Sequence, residues 1–373
     1  MFDIYNDFKE KENVLKLVSL IDEEVGSYNR KFKIMEVCGG HTHSIMKYGL
    51  NKMLSRSVDF IHGPGCPVCV MPVSRIDIAI YLSRLENVIL TTYGDMMRVP
   101  GSKSSLIKER GNGADIRMVY SPLDIIKLAQ ENKNKKIIFY AIGFETTAPM
   151  TAALIEQIKA HGIKNIYFYI NHVLVPPPIE AILDLCDSEI DGFVGPGHVS
   201  VITGVEIYNN IAVKYKKPVV VSGFEPFDIL MSVLMIAKQI NRRFSKIEIG
   251  YTRAVKQNGN KKAQELVNKY FEIRDSFEWR GLGYIPKSAL KLKEEFKDID
   301  AESLFRDYIF DNLANNKVVE NQVCKCGDIL KGKLKPNECP LFKKLCTPDN
   351  PIGACMVSHE GACAAYFKYF DDF

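Results

Sequence analysis

The chain has 373 residues, 46% of them hydrophobic and 25% charged, which is enough apolar material for two or three cores, since single domains usually run to about 100–200 residues. The 49 basic and 45 acidic residues are mixed along the chain and leave a net charge of +4, and the lysine-rich stretches 127–136 and 287–297 read as solvated faces and loops, not a nucleic-acid surface. No apolar run approaches the roughly 18–20 residues of a membrane span, and residues 1–10 are acidic and aromatic, unlike a signal peptide. A cytoplasmic protein is expected, and there ten cysteines suit metal ligation or redox chemistry better than structural disulfides.

The first helical pattern covers residues 13–28, with Val14, Leu15, Leu17, Val18, Ile21 and Val25 on one face. A short strand at 33–37 then runs into Cys38-Gly39-Gly40-His41-Thr42-His43, with a helix predicted over about 42–48. Strand, paired glycines and helix place Cys38 at the carboxyl edge of a parallel sheet, where open α/β folds keep their sites. The helix start should favour a thiolate at Cys38. His41 and His43 bring two imidazoles within reach, and His43 suits a purely structural hydrogen bond equally well.

A strand at 58–61 delivers His62-Gly63-Pro64-Gly65-Cys66-Pro67-Val68-Cys69, followed by a helical pattern over 70–85. Two thiols two residues apart can close a disulfide, hold half of a zinc site, or pass electrons, and their spacing leaves all three open. Further buried strands at 88–92 and 116–120 complete a first doubly wound α/β unit, expected over 1–134.

A second unit is expected over 135–250, with strands at 137–142, 166–170, 192–194 and 219–222. Each runs out into unusual residues: Gly143-Phe144-Glu145-Thr146-Thr147, Asn171-His172, Gly195-Pro196-Gly197-His198, and Gly223-Phe224-Glu225-Pro226-Phe227. Loops at the carboxyl ends of parallel strands converge, so Glu145, His172, His198 and Glu225 are expected to line one cleft facing the cysteines of the first unit. The plainer reading of each is a cap or turn residue. Neither G-x-x-x-x-G-K-[ST] nor G-x-G-x-x-G after a strand occurs, so nucleotide-dependent chemistry has no positive support. Residues 251–373 read as a helical and loop-rich third part, onto which the N-terminal helix could also pack. The single tryptophan, Trp279, is expected to seat a boundary between parts.

Six of the ten cysteines, Cys324, Cys326, Cys339, Cys346, Cys355 and Cys363, fall near the end among Gly, Pro and Lys, with little hydrophobic periodicity. A segment so poor in core needs a metal centre to hold it. The spacing Cys324-x14-Cys339-x6-Cys346-x16-Cys363 lacks the two close pairs of a zinc ribbon and suits a cubane iron–sulfur cluster wrapped by loops. Zinc stays open, as does the choice of four, because Cys326 and Cys355 remain over.

Five motifs in one order span nearly the whole chain: Cys38 to His43, Gly63 to Cys69, Gly143 to Thr147, Gly195 to His198, and the closing Cys339-Pro340-Leu341-Phe342 through Glu360-Gly361-Ala362-Cys363. Together they resemble the HypD family of [NiFe]-hydrogenase maturation proteins. The resemblance implies a scaffold on which iron receives two cyanides and one carbon monoxide, the Fe(CN)2CO group, before transfer to the hydrogenase large-subunit precursor. It implies two partners, the small chaperone HypC, which adds a cysteine to the iron, and the cyanide carrier HypE, which delivers a thiocyanate group. It assigns iron holding to Cys38 with His41 beside it, a redox thiol pair to Cys66 and Cys69, and a [4Fe-4S] cluster to Cys324, Cys339, Cys346 and Cys363. His198 and Glu360 match functional positions of the family.

The expected architecture is therefore α/β: two doubly wound Rossmann-like domains facing a central cleft, plus a loop-rich iron–sulfur cluster domain over 251–373. Other classes stay open on the residues alone. The first is a free-standing iron–sulfur and dithiol oxidoreductase acting on a small substrate in that cleft, and the second is a zinc-held interaction protein.

Overall fold

The computed structural model describes residues 11–370 except Asn29, so the reading of 1–10 lies outside the described residues. Nine strands build two parallel sheets: β1 (Phe32–Glu36), β2 (Val58–His62), β3 (Val88–Thr92), β4 (Ile116–Met118), β5 (Lys136–Gly143), β6 (Ile166–His172), β7 (Gly192–Pro196), β8 (Val219–Ser222) and β9 (Ile247–Ile249). One sheet has the order β2-β1-β7-β8-β9 and the other β4-β3-β5-β6. Parallel strands are covered on both faces, which is why Ile137 to Ile142 and Val219 to Val221 are unbroken apolar runs, buried throughout.

The α/β class with Rossmann-like parallel sheets is as expected, but the allotment of strands is not. Strands one to four were expected in one unit and five to eight in the next. Instead, the chain leaves the first sheet after β2, builds all of the second, and returns to complete the first with β7, β8 and β9. Strands buried on both faces carry the same apolar pattern whichever sheet they join, so sequence order was a poor guide to partnership.

The helices that position the site are α1 (Lys11–Val25), α2 (Gly39–Lys47), α3 (Pro67–Val70), α4 (Val73–Ser83), α5 (Gly197–Thr203), α6 (Pro226–Asn241) and α7 (Ala362–Tyr369). Val14, Leu17, Ile21 and Val25 of α1 are buried, while Leu15, expected on the same face, is 46% exposed. That face packs on α6, and the Asn241 side chain donates to Glu24 O at 2.7 Å, so the N-terminal helix belongs to the first sheet and not to the cysteine-rich part. α4 is the crossing element. It is mostly buried between β3 and the helix Arg306–Asn315, and its polar side chains Ser74, Arg75 and Asp77 are each taken up by hydrogen bonds to other segments.

Residues 251–373 are not only helix and loop. Two antiparallel pairs, β10 (Phe271–Ile273) with β13 (Leu290–Leu292) and β11 (Ser276–Trp279) with β12 (Gly283–Pro286), precede the cysteines. Trp279 is buried at the end of β11, its indole N–H donating to Ser288 Oγ at 2.8 Å and its ring 6.3 Å from Phe144 after β5. It therefore seats the hairpin on the second sheet. The chain then folds back so that α7 packs on α2. Among the described residues, no helix is long and apolar enough to cross a membrane.

Candidate thiol and metal centre

β1 lies between β2 and β7, all parallel, with Glu36 opposite both His62 and Val194. The strand order reverses there, and such a reversal opens a crevice at the carboxyl ends. Cys38 leaves β1 into this crevice as the cap of α2, and His198 leaves β7 in the first turn of α5. Cys38 Sγ lies 3.7 Å from Nδ1 and 4.0 Å from Nε2 of His198. The ring of Phe224, from the loop after β8, packs against both imidazoles, 5.0 Å from His41 and 5.3 Å from His198. His41 Nε2 donates to Gly223 O at 3.0 Å, and its buried Nδ1 has no hydrogen-bond partner among the described residues. Burial lowers the His198 pKa to about 4 and acts on His41 in the same direction, so both rings are neutral at physiological pH.

The expected thiolate at Cys38 is corrected. The N–H groups of Gly40 and His41 do favour it, but burial, and after it the carboxyl groups of Glu360 and Glu36, push the thiol well up. A cysteine in this setting keeps its proton until a cation replaces it. Glu360 is brought close by glycine: a Cβ on Gly39 would lie 2.3 Å from Glu360 Cβ. Burial, with Asp95 nearby, also raises the Glu360 carboxyl.

Beneath Cys38, Glu36 is buried with every contact used. Its Oε2 accepts the Cys38 N–H at 3.0 Å, and its Oε1 accepts from the Thr42 hydroxyl and from His62 Nδ1, the latter at 2.7 Å. The network fixes the cysteine's main chain, not its sulfur.

The dithiol turn forms the next wall. Gly39 N–H donates to Gly65 O at 3.2 Å, and a Cβ on Gly65 would lie 2.3 Å from the Cys38 nitrogen, so the turn needs glycine to lie against Cys38. Cys66 caps α3, its sulfur accepting the Cys69 N–H at 3.1 Å, and the two cysteines are joined as a disulfide. The helix expected over 70–85 instead begins inside the motif at Pro67, breaks at Met71-Pro72, and resumes as α4. Proline at the first helical position is preorganised for that start.

On the far side, Cys69 Sγ lies 4.0 Å from Ala354 O, next to Cys355. There Cys324, Cys326, Cys339, Cys346, Cys355 and Cys363 line one pocket, walled by Ile329, Leu341, Phe342 and Met356. Burial, then the neighbouring Cys326, Cys339 and Cys346, push the Cys324 thiol up to about 12. Ile352 N–H donates to Cys346 Sγ at 3.4 Å, and a Cβ on Gly353 would lie 2.6 Å from Cys324 Sγ. Cys326 and Cys355 face each other with sulfurs 2.6 Å apart. Sequence reasoning left these two over, as non-ligands or alternatives; they are 29 positions apart, and no spacing rule joins them. Among the described residues, no three His, Cys, Asp or Glu side chains gather to hold a single metal ion. Six thiols behind apolar walls make an all-sulfur donor set of the kind an iron–sulfur cluster takes, one thiolate to each iron.

The four strand-end residues expected in one cleft divide. His198 reaches Cys38. His172 is buried against Thr151 Oγ1 at 2.9 Å, and burial lowers its pKa to about 4. Glu145 accepts the Val175 N–H at 3.0 Å, and burial raises its pKa to about 7. Glu225 caps α6. His43 takes the structural option, its Nε2 3.1 Å from Tyr369 OH on α7.

A cysteine and imidazole at a sheet switch point, backed by a dithiol turn and a six-cysteine pocket, define an α/β protein whose chemistry is carried by sulfur. The chain matches the model of the Hydrogenase formation hypA family, HypD, over residues 12–370. It is 47% identical over 371 residues to hydrogenase maturation factor HypD2 of Bradyrhizobium diazoefficiens, covering 98% of this chain and 96% of that one. It is 46% identical over 370 residues to HypD of Azotobacter vinelandii, with 98% and 96% covered, and 44% identical over 368 residues to HypD of Escherichia coli, with 98% and 97% covered. The chain belongs to the HypD family of hydrogenase maturation factors.

Proposed function

We propose that the protein holds an iron atom at Cys38 while it gains cyanide and carbon monoxide, forming the Fe(CN)2CO group for a [NiFe]-hydrogenase large-subunit precursor. The observation that carries this reading is the hydrogen bond from Gly39 to Gly65, which puts the iron-holding cysteine and the dithiol turn against each other. Low-spin iron with cyanide and carbonyl ligands favours soft thiolates, supplied by Cys38 and a cysteine of a small HypC-type chaperone. His198 is neutral and adjacent to Cys38 Sγ, so it can accept a hydrogen bond from the thiol and relay its proton away as iron displaces it, without itself staying charged. His41 holds the floor of the crevice, and Glu360, set against Gly39 beside Cys38, forms part of its rim.

Cyanide arrives as a thiocyanate group on a HypE-type carrier. Breaking its S–C bond takes two electrons and one proton and leaves cyanide and the carrier thiol. Cys66 and Cys69 supply both electrons by closing their disulfide and release two protons, one of which stays on the carrier sulfur. A [4Fe-4S] cluster held by Cys324, Cys339, Cys346 and Cys363 would supply single electrons to recharge the pair. Cys69 approaches that pocket through Ala354, and the facing sulfurs of Cys326 and Cys355 lie on the same path. The work is placed in the cytoplasm, with no nucleic acid or membrane involved.

The test is anaerobic co-purification with the small chaperone, followed by infrared spectroscopy of the complex. Bands in the cyanide and carbonyl region that disappear in Cys38→Ala support the reading. Undiminished bands in that variant would sink it, and turnover of a small substrate with neither partner nor bands would point to the free-standing oxidoreductase.

A further inference from the structure

Arg280 is 4% exposed, and no step above uses it. Its main-chain N–H donates to Val70 O at 2.8 Å and its Nε donates to Met71 O at 2.9 Å, so it grips the exit of the dithiol turn directly after Cys69. The next residue, Gly281, has φ 73° and lies so close to Gly327 that a Cβ there would fall 2.3 Å from Gly327 Cα. The Arg280-Gly281 turn is therefore wedged between the Cys66/Cys69 motif and the Cys326-Gly327 turn.

Its charge is poorly balanced. Among the described residues Glu320 is the carboxylate in reach, 3.6 Å from Nε with its side chain 48% exposed, and Nη2 is buried with no hydrogen-bond partner among them. A guanidinium stays charged whatever surrounds it, and a buried charge short of partners is unfavourable until negative charge arrives. Reduction of the neighbouring disulfide brings that charge in the fraction of reduced pairs that take up one proton and not two: two electrons break the S–S bond, one sulfur becomes a thiol, and the other stays a thiolate, the form a nearby guanidinium favours.

We propose that Arg280 is a positioning residue for the Cys66/Cys69 couple, holding the dithiol turn against the Cys326 turn and favouring the reduced pair through its charge. The inference rests on the reading of Cys66 and Cys69 as an electron store. It makes the disulfide easier to reduce than the turn alone would allow.

The test is an anaerobic redox titration of the full-length protein in dithiothreitol buffers of stepped ratio. Dithiothreitol supplies two electrons and closes to its own disulfide. Acid quenching, alkylation and peptide mass analysis then read the fraction of Cys66 and Cys69 that is reduced. Arg280→Gln should favour the disulfide about tenfold, a midpoint about 30 mV more negative. Arg280→Lys, which keeps the charge, should stay within about threefold of the wild type. A wild-type midpoint in the Gln variant, or a Lys variant displaced as far as Gln, overturns the role of the charge. Should the Gln variant not fold, Glu320→Gln removes the partial counter-charge at the surface and should shift the midpoint the opposite way; an unmoved midpoint there overturns the proposal equally. If the wild-type pair does not titrate at any ratio, the electron-store reading falls, and that result is distinct from a titrating pair indifferent to Arg280.

Discussion

Nε2 of His62 lies 3.1 Å from the hydroxyl of Tyr366, joining the residue before the glycine turn of the dithiol motif to α7, one turn past Cys363. Through Glu36 the same chain of contacts reaches the Cys38 N–H, so a buried polar network ties Cys38 to the helix that carries Cys363, 325 positions further on. Tyr366→Phe leaves a ring nitrogen buried without its partner and should destabilise the fold by about 1–2 kcal/mol. Glu36→Ala strips three donors of their acceptor and should lose about 3 kcal/mol or more. Urea unfolding of the two variants measures the difference, and equal losses would mean that Glu36 is not the hub.

Gly39 and Gly65 are where backbone closeness itself carries the site. A Cβ at either meets main-chain or Cβ atoms at 2.3 Å and not the flexible end of a side chain, so Gly39→Ala and Gly65→Ala should each push Glu360 or Cys38 out of place. The expected outcome is a folded, brown protein that has lost most of its cyanide and carbonyl bands. Full band intensity in either variant would show that the crevice tolerates the shift.

Cys38→Ala should abolish iron loading and leave the colour of the cysteine-rich pocket intact. Cys66→Ser and Cys69→Ser should fold and bind the small chaperone, yet fail in maturation. Hydrogenase activity at the wild-type level in a strain carrying either serine variant would exclude the electron store.

Glu302 is a stability element outside the site. Burial raises its carboxyl, but Arg75 and Arg274, both bonded to it, outweigh that effect and hold it at about 2. A carboxyl depressed in the folded state binds its proton more tightly when unfolded. Its contribution is therefore fully present above the unfolded value of about 4.3 and is lost as pH falls toward 2. Glu302→Gln should cost on the order of 3 kcal/mol at pH 7, with the gap to wild type closing between about pH 5 and pH 2. Urea midpoints across that range check both sign and window.

Anaerobic preparations should carry about four irons per chain with a broad brown absorption. Removing the iron should free residues 324–363 from their main support, so limited proteolysis should cut there first. Zinc without colour would make the segment a structural clamp.

Local chemistry was legible in the sequence because it is set by neighbours along the chain. The glycines beside Cys38 and Cys66, the proline that starts α3, the apolar runs of the strands and the crowding of cysteines near the end all act over a few residues. What lies across the sheets was not legible. His198 and His172 sit in similar strand-end settings, yet one meets Cys38 and the other is sealed against Thr151, because β7 pairs with β1 while β6 pairs with β5. The facing pair Cys326 and Cys355 and the wedge at Arg280 likewise join segments distant in sequence. The protonation of Cys38 reversed for the same reason: a helix start acts locally and favours the thiolate, but burial and the carboxyl of Glu360 arrive only when the end of the chain folds over the crevice. The sequence alone determined which residues are chemically able and which strands are buried. The tertiary structure decided which of them meet, because partnership depends on sheet order and burial, which local pattern does not encode.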